Sequence, residues 1–199
     1  ILGDSGAGKS ETIEALRQIS NDIDQIKIVY DDMGVFKLDD YLYSQGTETG
    51  AFVRLDDLEA GYAYQNLDRS IFLNPNRTNA RVILPVTTHE FVCKKHKIDL
   101  LLYANNYDNP KENIRLFDNL SDAINVFSEG KRMAKGTTSE KGLSSTFFAN
   151  PFGPVQNKKK TEILIEKYFT YMFDHNIKIG EIYTRLSIDK MRETGPKMA

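Results

Sequence analysis

The run Gly3-Asp4-Ser5-Gly6-Ala7-Gly8-Lys9-Ser10 constrains the fold more than any other stretch of the chain. Its spacing is G-x-x-x-x-G-K-[ST]. Glycines at these positions let the backbone curl until several N–H groups point into one hollow, where phosphate oxygens can be held. A lysine at position 9 reaches β- and γ-phosphates, and a serine hydroxyl at position 10 can ligate Mg²⁺. The flanks agree with this reading. Ile1-Leu2 reads as the end of a buried strand. Residues 11–19 read as a helix with Ile13, Leu16 and Ile19 on one face, and its positive N-terminal end adds to the same hollow. The nucleotide-binding set is therefore Gly3, Asp4, Ser5, Gly6, Ala7, Gly8, Lys9, Ser10 and Glu11. A loop of this kind needs a strand before it, and only two residues stand there. The chain is expected to be a C-terminal piece of a longer protein, a single phosphate-loop domain over residues 1–199 completed by an upstream domain.

Composition narrows the partners. A net charge of −2 and 27% charged residues give no basic face for nucleic acid or anionic lipid. No apolar run is long enough to span a bilayer. The single cysteine, Cys93, excludes an internal disulfide and suits a reducing, cytoplasmic setting.

Further along, Ile26–Tyr30 reads as a short strand ending in Asp31-Asp32. A carboxylate there is where a nucleotide-bound Mg²⁺ finds its protein ligand, so Asp32, or Asp31, is the metal candidate. Strands are expected over Val35–Leu42 and Ala51–Leu55 around a turn at Gly46–Gly50. A helix capped by Asp56 or Asp57 is expected over Leu58–Leu67, and a loop at Asn74-Pro75-Asn76. Arg81–Pro85 is a short strand, and Lys97–Tyr103 is apolar enough to lie centrally in a sheet. Tyr107–Arg115 is polar and irregular. Helices are expected over Leu120–Met133 and Thr161–Phe173, with Lys158-Lys159-Lys160 as a solvated helix start. A last strand falls within Ile177–Ile188. The small, polar residues from Lys135 to Ser145 suit a mobile lid. Cys93 and His96 stand at C-x-x-H spacing without a second pair, so a zinc site is not expected. Interleaved strands and helices, with several hairpins, predict a mixed α/β sheet.

In this order the motifs resemble the nucleotide-binding part of ATP-dependent phosphoenolpyruvate carboxykinase. Gly3, Ser5, Gly6, Gly8, Lys9 and Ser10 match that family's phosphate loop. Tyr30-Asp31-Asp32-Met33-Gly34 is similar to its paired aspartates, the second of which binds metal, which implies Asp32. Asn79-Ala80-Arg81-Val82-Ile83-Leu84-Pro85 looks like the strand whose arginine contacts the transferred phosphoryl group, which implies Arg81. Ala134-Lys135, Gly136, Thr137, Glu140 to Gly142, Thr146-Phe147 and Phe152-Gly153 are similar to its lid and the segments after it. The resemblance implies the carboxykinase-type mixed α/β fold and ATP with Mg²⁺, or Mn²⁺ in the whole protein, as cofactors. It also implies an oxaloacetate/phosphoenolpyruvate acceptor, with Lys9, Asp32 and Arg81 carrying the chemistry and Ser10 and Asp32 the metal. The family's tryptophan segment has no counterpart, since the chain contains no tryptophan. The phosphate loop is also similar to that of HPr kinase/phosphorylase. That relation implies a serine-hydroxyl acceptor with His89 or Asp31 as base. A nucleotide-sensing module without catalysis is the remaining alternative.

Overall fold

The computed structural model describes residues 1–19, 26–54, 71–73, 81–135, 141–191 and 194–199. They fall into two compact units, Ile1–Ile23 with Ile98–Ala199, and Asp24–Lys97. The chain is mixed α/β in both strand direction and element order.

The first unit opens with Leu2, the phosphate loop and helix α1 (Lys9–Ile19). The chain then forms the second unit. There β1 (Gly34–Leu38) and β2 (Leu42–Gly46) make a hairpin, and β3 (Gly50–Arg54) pairs with β5 (Arg81–Pro85), which also carries β4 (Ile71–Leu73). A short helix α2 (His89–Val92) is capped by the Thr88 side chain, and β6 (His96–Lys97) closes the edge beside β2. The single strand expected over Val35–Leu42 is corrected: Asp39-Asp40-Tyr41 turn the chain between β1 and β2, as aspartates in a turn do. Ile26–Tyr30, expected as a strand, joins no ladder. Tyr30 instead fits its ring against Gly34 and Gly46, where any Cβ would collide with it, and its hydroxyl bonds Ser44 Oγ at 2.5 Å. The expected helix at Leu58–Leu67 and the loop at Asn74–Asn76 lie outside the described residues.

Back in the first unit, β7 (Leu100–Asn105) runs parallel to β11 (Lys178–Tyr183) on one side and to Leu2 on the other. The antiparallel strand β8 (Ile114–Leu116) forms the far edge. The strand expected over Lys97–Tyr103 is found at Leu100–Asn105, with Lys97 in β6; it lies between β11, the middle strand of the sheet, and the single Leu2 bridge, and is buried from Leu101 onward. Its alternation serves two faces. Tyr103 meets Phe127 of α3 (Leu120–Glu129) edge-on at 5.3 Å between ring centres, and Phe127 meets Phe169 of α4 (Lys158–Asp174) at 5.1 Å. Leu102 and Ala104, on the other face, pack with Ile182 against Ala7 of the phosphate loop. The short terminal helix α5 (Gly195–Met198) packs beside α1.

α3 stops earlier than its apolar pattern predicts. Asn119 caps its start, and Gly130 ends it in the left-handed conformation (φ 56°), which glycine adopts without strain. The next residues form the hairpin β9 (Lys131–Lys135) and β10 (Lys141–Ser145). Much of the expected lid is thus paired strand, and its tip, residues 136–140, lies outside the described residues. α4 begins at Lys158, where the lysine run predicts a solvated start. Of the stretch Tyr107–Arg115, expected to be irregular, residues 107–113 are so, though firmly held, while Ile114 and Arg115 belong to β8. The buried Arg185 guanidinium donates to Asn109 Oδ1 and to the carbonyls of Pro110, Glu112 and Tyr183 at 2.8–3.1 Å.

Burial raises the Tyr103 phenol well above its ordinary value, and Tyr107 adds to the effect. Its hydroxyl donates to the Lys131 carbonyl at 2.6 Å. The folded chain keeps this proton after the unfolded chain has lost it, so stability is full below pH 10 and falls above it. The expected slope from Tyr103 is about 1.4 kcal/mol per pH unit. Urea midpoints between pH 8 and 11 measure it, and Tyr103→Phe should flatten the curve.

Candidate functional site

Parallel strands place their C-terminal ends on one side of a sheet, and ligands of open α/β sheets bind there. In the first unit that side carries the phosphate loop after Leu2, Asn105-Asn106 at the end of β7, and Thr184 just past β11. Leu2 is held to β7 by two 2.8 Å hydrogen bonds, Leu2 N–H to Leu102 O and Ala104 N–H to Leu2 O.

Every carbonyl from Gly3 to Gly8 is engaged by a donor. Lys9 Nζ donates to Gly3 O at 2.8 Å and lies 3.3 Å from Asp4 O, which also accepts from Ala7 N–H. Arg132 Nη1 donates to Ser5 O at 2.9 Å. Asn106 Nδ2 donates to Gly6 O at 2.9 Å. Thr184 Oγ1 donates to Ala7 O at 2.6 Å, and Thr12 donates to Gly8 O through both its N–H and its hydroxyl. A trans peptide places the next residue's N–H on the side opposite its carbonyl, and no cis bond occurs among the described residues. Fixing the carbonyls of Ser5, Ala7 and Gly8 therefore turns the N–H groups of Gly6, Gly8 and Lys9 the opposite way. The first turn of α1 adds N–H groups that have no acceptor one turn earlier in the helix. The donor set fits an anionic polyphosphate.

The clamps are themselves buried and cross-linked. Asn106, with no exposed surface, shares the two hydrogens of Nδ2 among Gly6 O, Met133 O and Ser187 Oγ and accepts from Met133 N–H through Oδ1. Its neighbour Asn105 accepts from the N–H groups of Tyr107 and Asp108 and donates to Asp108 and Glu181. Asp4 is turned away from the hollow: one carboxylate oxygen accepts from Ser5 N–H, and the other lies 2.9 Å from Arg132 Nε in a buried ion pair. Sequence reasoning missed Asn106, Arg132 and Thr184. The polar pair closing the most apolar strand was the available signal for Asn106; the other two carry none.

The remaining candidates belong to the second unit. Asp31 and the exposed Asp32 lie in a turn before β1. Glu48 Oε1 accepts from the N–H groups of Asp32 (3.0 Å) and Met33 (2.8 Å), and Thr47 donates to Met33 O through its N–H and its hydroxyl. These bonds leave the turn one defined shape. Arg81 opens β5 opposite Arg54, and its side chain lies outside the described residues. His89 is exposed at the first position of α2, its ring 3.9 Å from Cys93 Sγ. His96 Nε2 pairs with Phe91 O at 2.7 Å. Among the described residues no three His, Cys, Asp or Glu side chains are grouped to hold a metal ion, and no helix is long and apolar enough to cross a membrane.

No protein-family model matches the chain, and no curated protein matches it significantly.

Proposed function

We propose that the chain is the ATP- and Mg²⁺-binding phosphoryl-transfer domain of a phosphoenolpyruvate carboxykinase-like protein, with the carboxykinase-type fold and a cytoplasmic setting. The observation that carries this reading is the phosphate loop, whose every carbonyl from Gly3 to Gly8 is engaged by a donor. A Gly-rich turn without a ligand has no need of two buried side chains, Asn106 and Thr184, and the partly buried Arg132 from distant parts of the sequence to fix its peptide planes. Such preorganised donors stabilise charge without reorganising during reaction.

In this reading the loop amides and the first turn of α1 cradle the β- and γ-phosphates. Lys9 exchanges its bonds to Gly3 O and Asp4 O for phosphate oxygens. Ser10 and Asp32 are the metal ligands implied by the resemblance, and Arg81 offsets charge on the transferred phosphoryl group. Mg²⁺, when bound, neutralises the polyphosphate and favours loss of the diphosphate leaving group. The bond from the γ-phosphorus to the β–γ bridging oxygen breaks, and one to the enolate oxygen left by oxaloacetate decarboxylation forms. The test supplies the full-length protein with oxaloacetate and MgATP or MgGTP and follows phosphoenolpyruvate. Formation with one nucleotide, lost in Asp32→Asn, supports the reading. Transfer to a protein serine instead, or no turnover with nucleotide bound, would overturn the carboxykinase assignment.

A further inference from the structure

Arg132 is unexplained by the chemistry above, since it faces a carboxylate and a carbonyl of the loop itself. Its guanidinium spans Asp4 and Ser5: Nε lies 2.9 Å from Asp4 Oδ2, and Nη1 donates to Ser5 O at 2.9 Å. Both side chains are nearly buried, at 11% and 9% exposed. The partners are 127 residues apart for the Ser5 contact, and Arg132 sits on β9, the strand that leads into the hairpin tip.

A fixed carboxylate within a phosphate loop carries the same charge as the ligand. The Asp4 carboxylate is only 9% exposed, so its repulsion of a polyphosphate is less screened than at an open surface, and it grows with ligand charge. We infer that Arg132 is a positioning residue that cancels the Asp4 charge and fixes the Asp4–Ser5 peptide, so that the loop accepts highly charged polyphosphate ends. This rests on the nucleotide-binding reading above. The pair also gives Asp4 a defined role: its carboxylate orders the loop through Ser5 N–H, and Arg132 removes the electrostatic penalty of placing it there.

The mechanism makes the loss depend on ligand charge, which a merely structural role would not. Arg132→Gln should weaken ATP binding on the order of 10- to 100-fold and ADP binding distinctly less. Arg132→Lys, which keeps the charge, should retain most of the affinity. Adding Asp4→Asn to Arg132→Gln should restore most of the ATP affinity. The measurement is calorimetric titration of ATP and of ADP into wild type and the three variants, with the fold of each checked by circular dichroism. Equal losses for ATP and ADP, or no recovery in the double variant, would overturn the inference. If Arg132→Gln does not fold, Arg132→Lys decides: a loss of ATP affinity under tenfold supports the charge argument, and a loss of tenfold or more contradicts it. Wild type that binds neither nucleotide would remove the underlying site reading, an outcome distinct from a bound wild type with an indifferent Arg132.

Discussion

Asn106→Leu is expected to lower stability by about 3–5 kcal/mol and to abolish measurable nucleotide binding. The side chain is similar in size, so the loss is one of hydrogen bonding rather than volume. Asn106, itself without exposed surface, joins Gly6 O, Met133 O, Met133 N–H and Ser187 Oγ. Leucine takes Asn106 away from these part-buried groups, and each polar group left buried and unpaired costs about 1–3 kcal/mol. Some of that is recovered through the existing 3.4 Å contact from Ser187 Oγ to Met133 O. The Gly6 peptide, freed of its clamp, can rotate its carbonyl into the hollow, where it would repel phosphate. Urea denaturation gives the stability and titration calorimetry the affinity. A loss below about 1 kcal/mol, the net value of one ordinary hydrogen bond, would contradict the clamp.

Gly8→Ala is the second large effect, and two separable causes produce it. Gly8 has φ of 98°, a conformation costly to any residue with a Cβ, by about 1–3 kcal/mol. An added Cβ would also stand 2.7 Å from both Cβ and Oγ1 of Thr184. Thr184 cannot retreat. It is fully buried, its hydroxyl is bonded to Ala7 O, and its N–H is bonded to Asn105 O. Overpacking of this kind costs about a further 1–3 kcal/mol. Gly142→Ala separates the causes. Gly142 has a similar φ of 85° but nothing within 4 Å of its Cβ position, so its substitution carries strain alone. The urea midpoint should fall clearly further for Gly8→Ala than for Gly142→Ala, and equal shifts would show that Thr184 is free to move.

What could be read from the sequence was local, and what escaped it was distant. The phosphate loop is legible because its chemistry needs adjacent residues at fixed spacing. β7 is legible because burial on both faces demands an unbroken apolar run. The clamps reach Gly6 and Ala7 across 100 and 177 residues, and no local pattern encodes such a bond. Ile26–Tyr30 has the composition of a strand, yet Tyr30 is placed by the space above Gly34 and Gly46. The apolar face of α3 continues in sequence beyond its true end, and Gly130 was the stop signal passed over. Asp31 and Asp32 were read as a strand end carrying a metal ligand, while the turn they occupy is held by Glu48 from the connection between β2 and β3.

The most direct test is calorimetric titration of MgATP and MgGTP into the protein and into Lys9→Ala. Lys9 bridges Gly3 O and Asp4 O across the loop, where a phosphate would draw its ammonium group. The expected result is saturable binding of one nucleotide by wild type and at least a hundredfold loss in Lys9→Ala, with the variant still folded. That loss corresponds to about 2.7 kcal/mol, within the range for a charge-assisted contact. Nucleotide binding unaffected by Lys9→Ala, or a folded wild type that binds neither nucleotide, would contradict the assignment of this loop as a phosphate site.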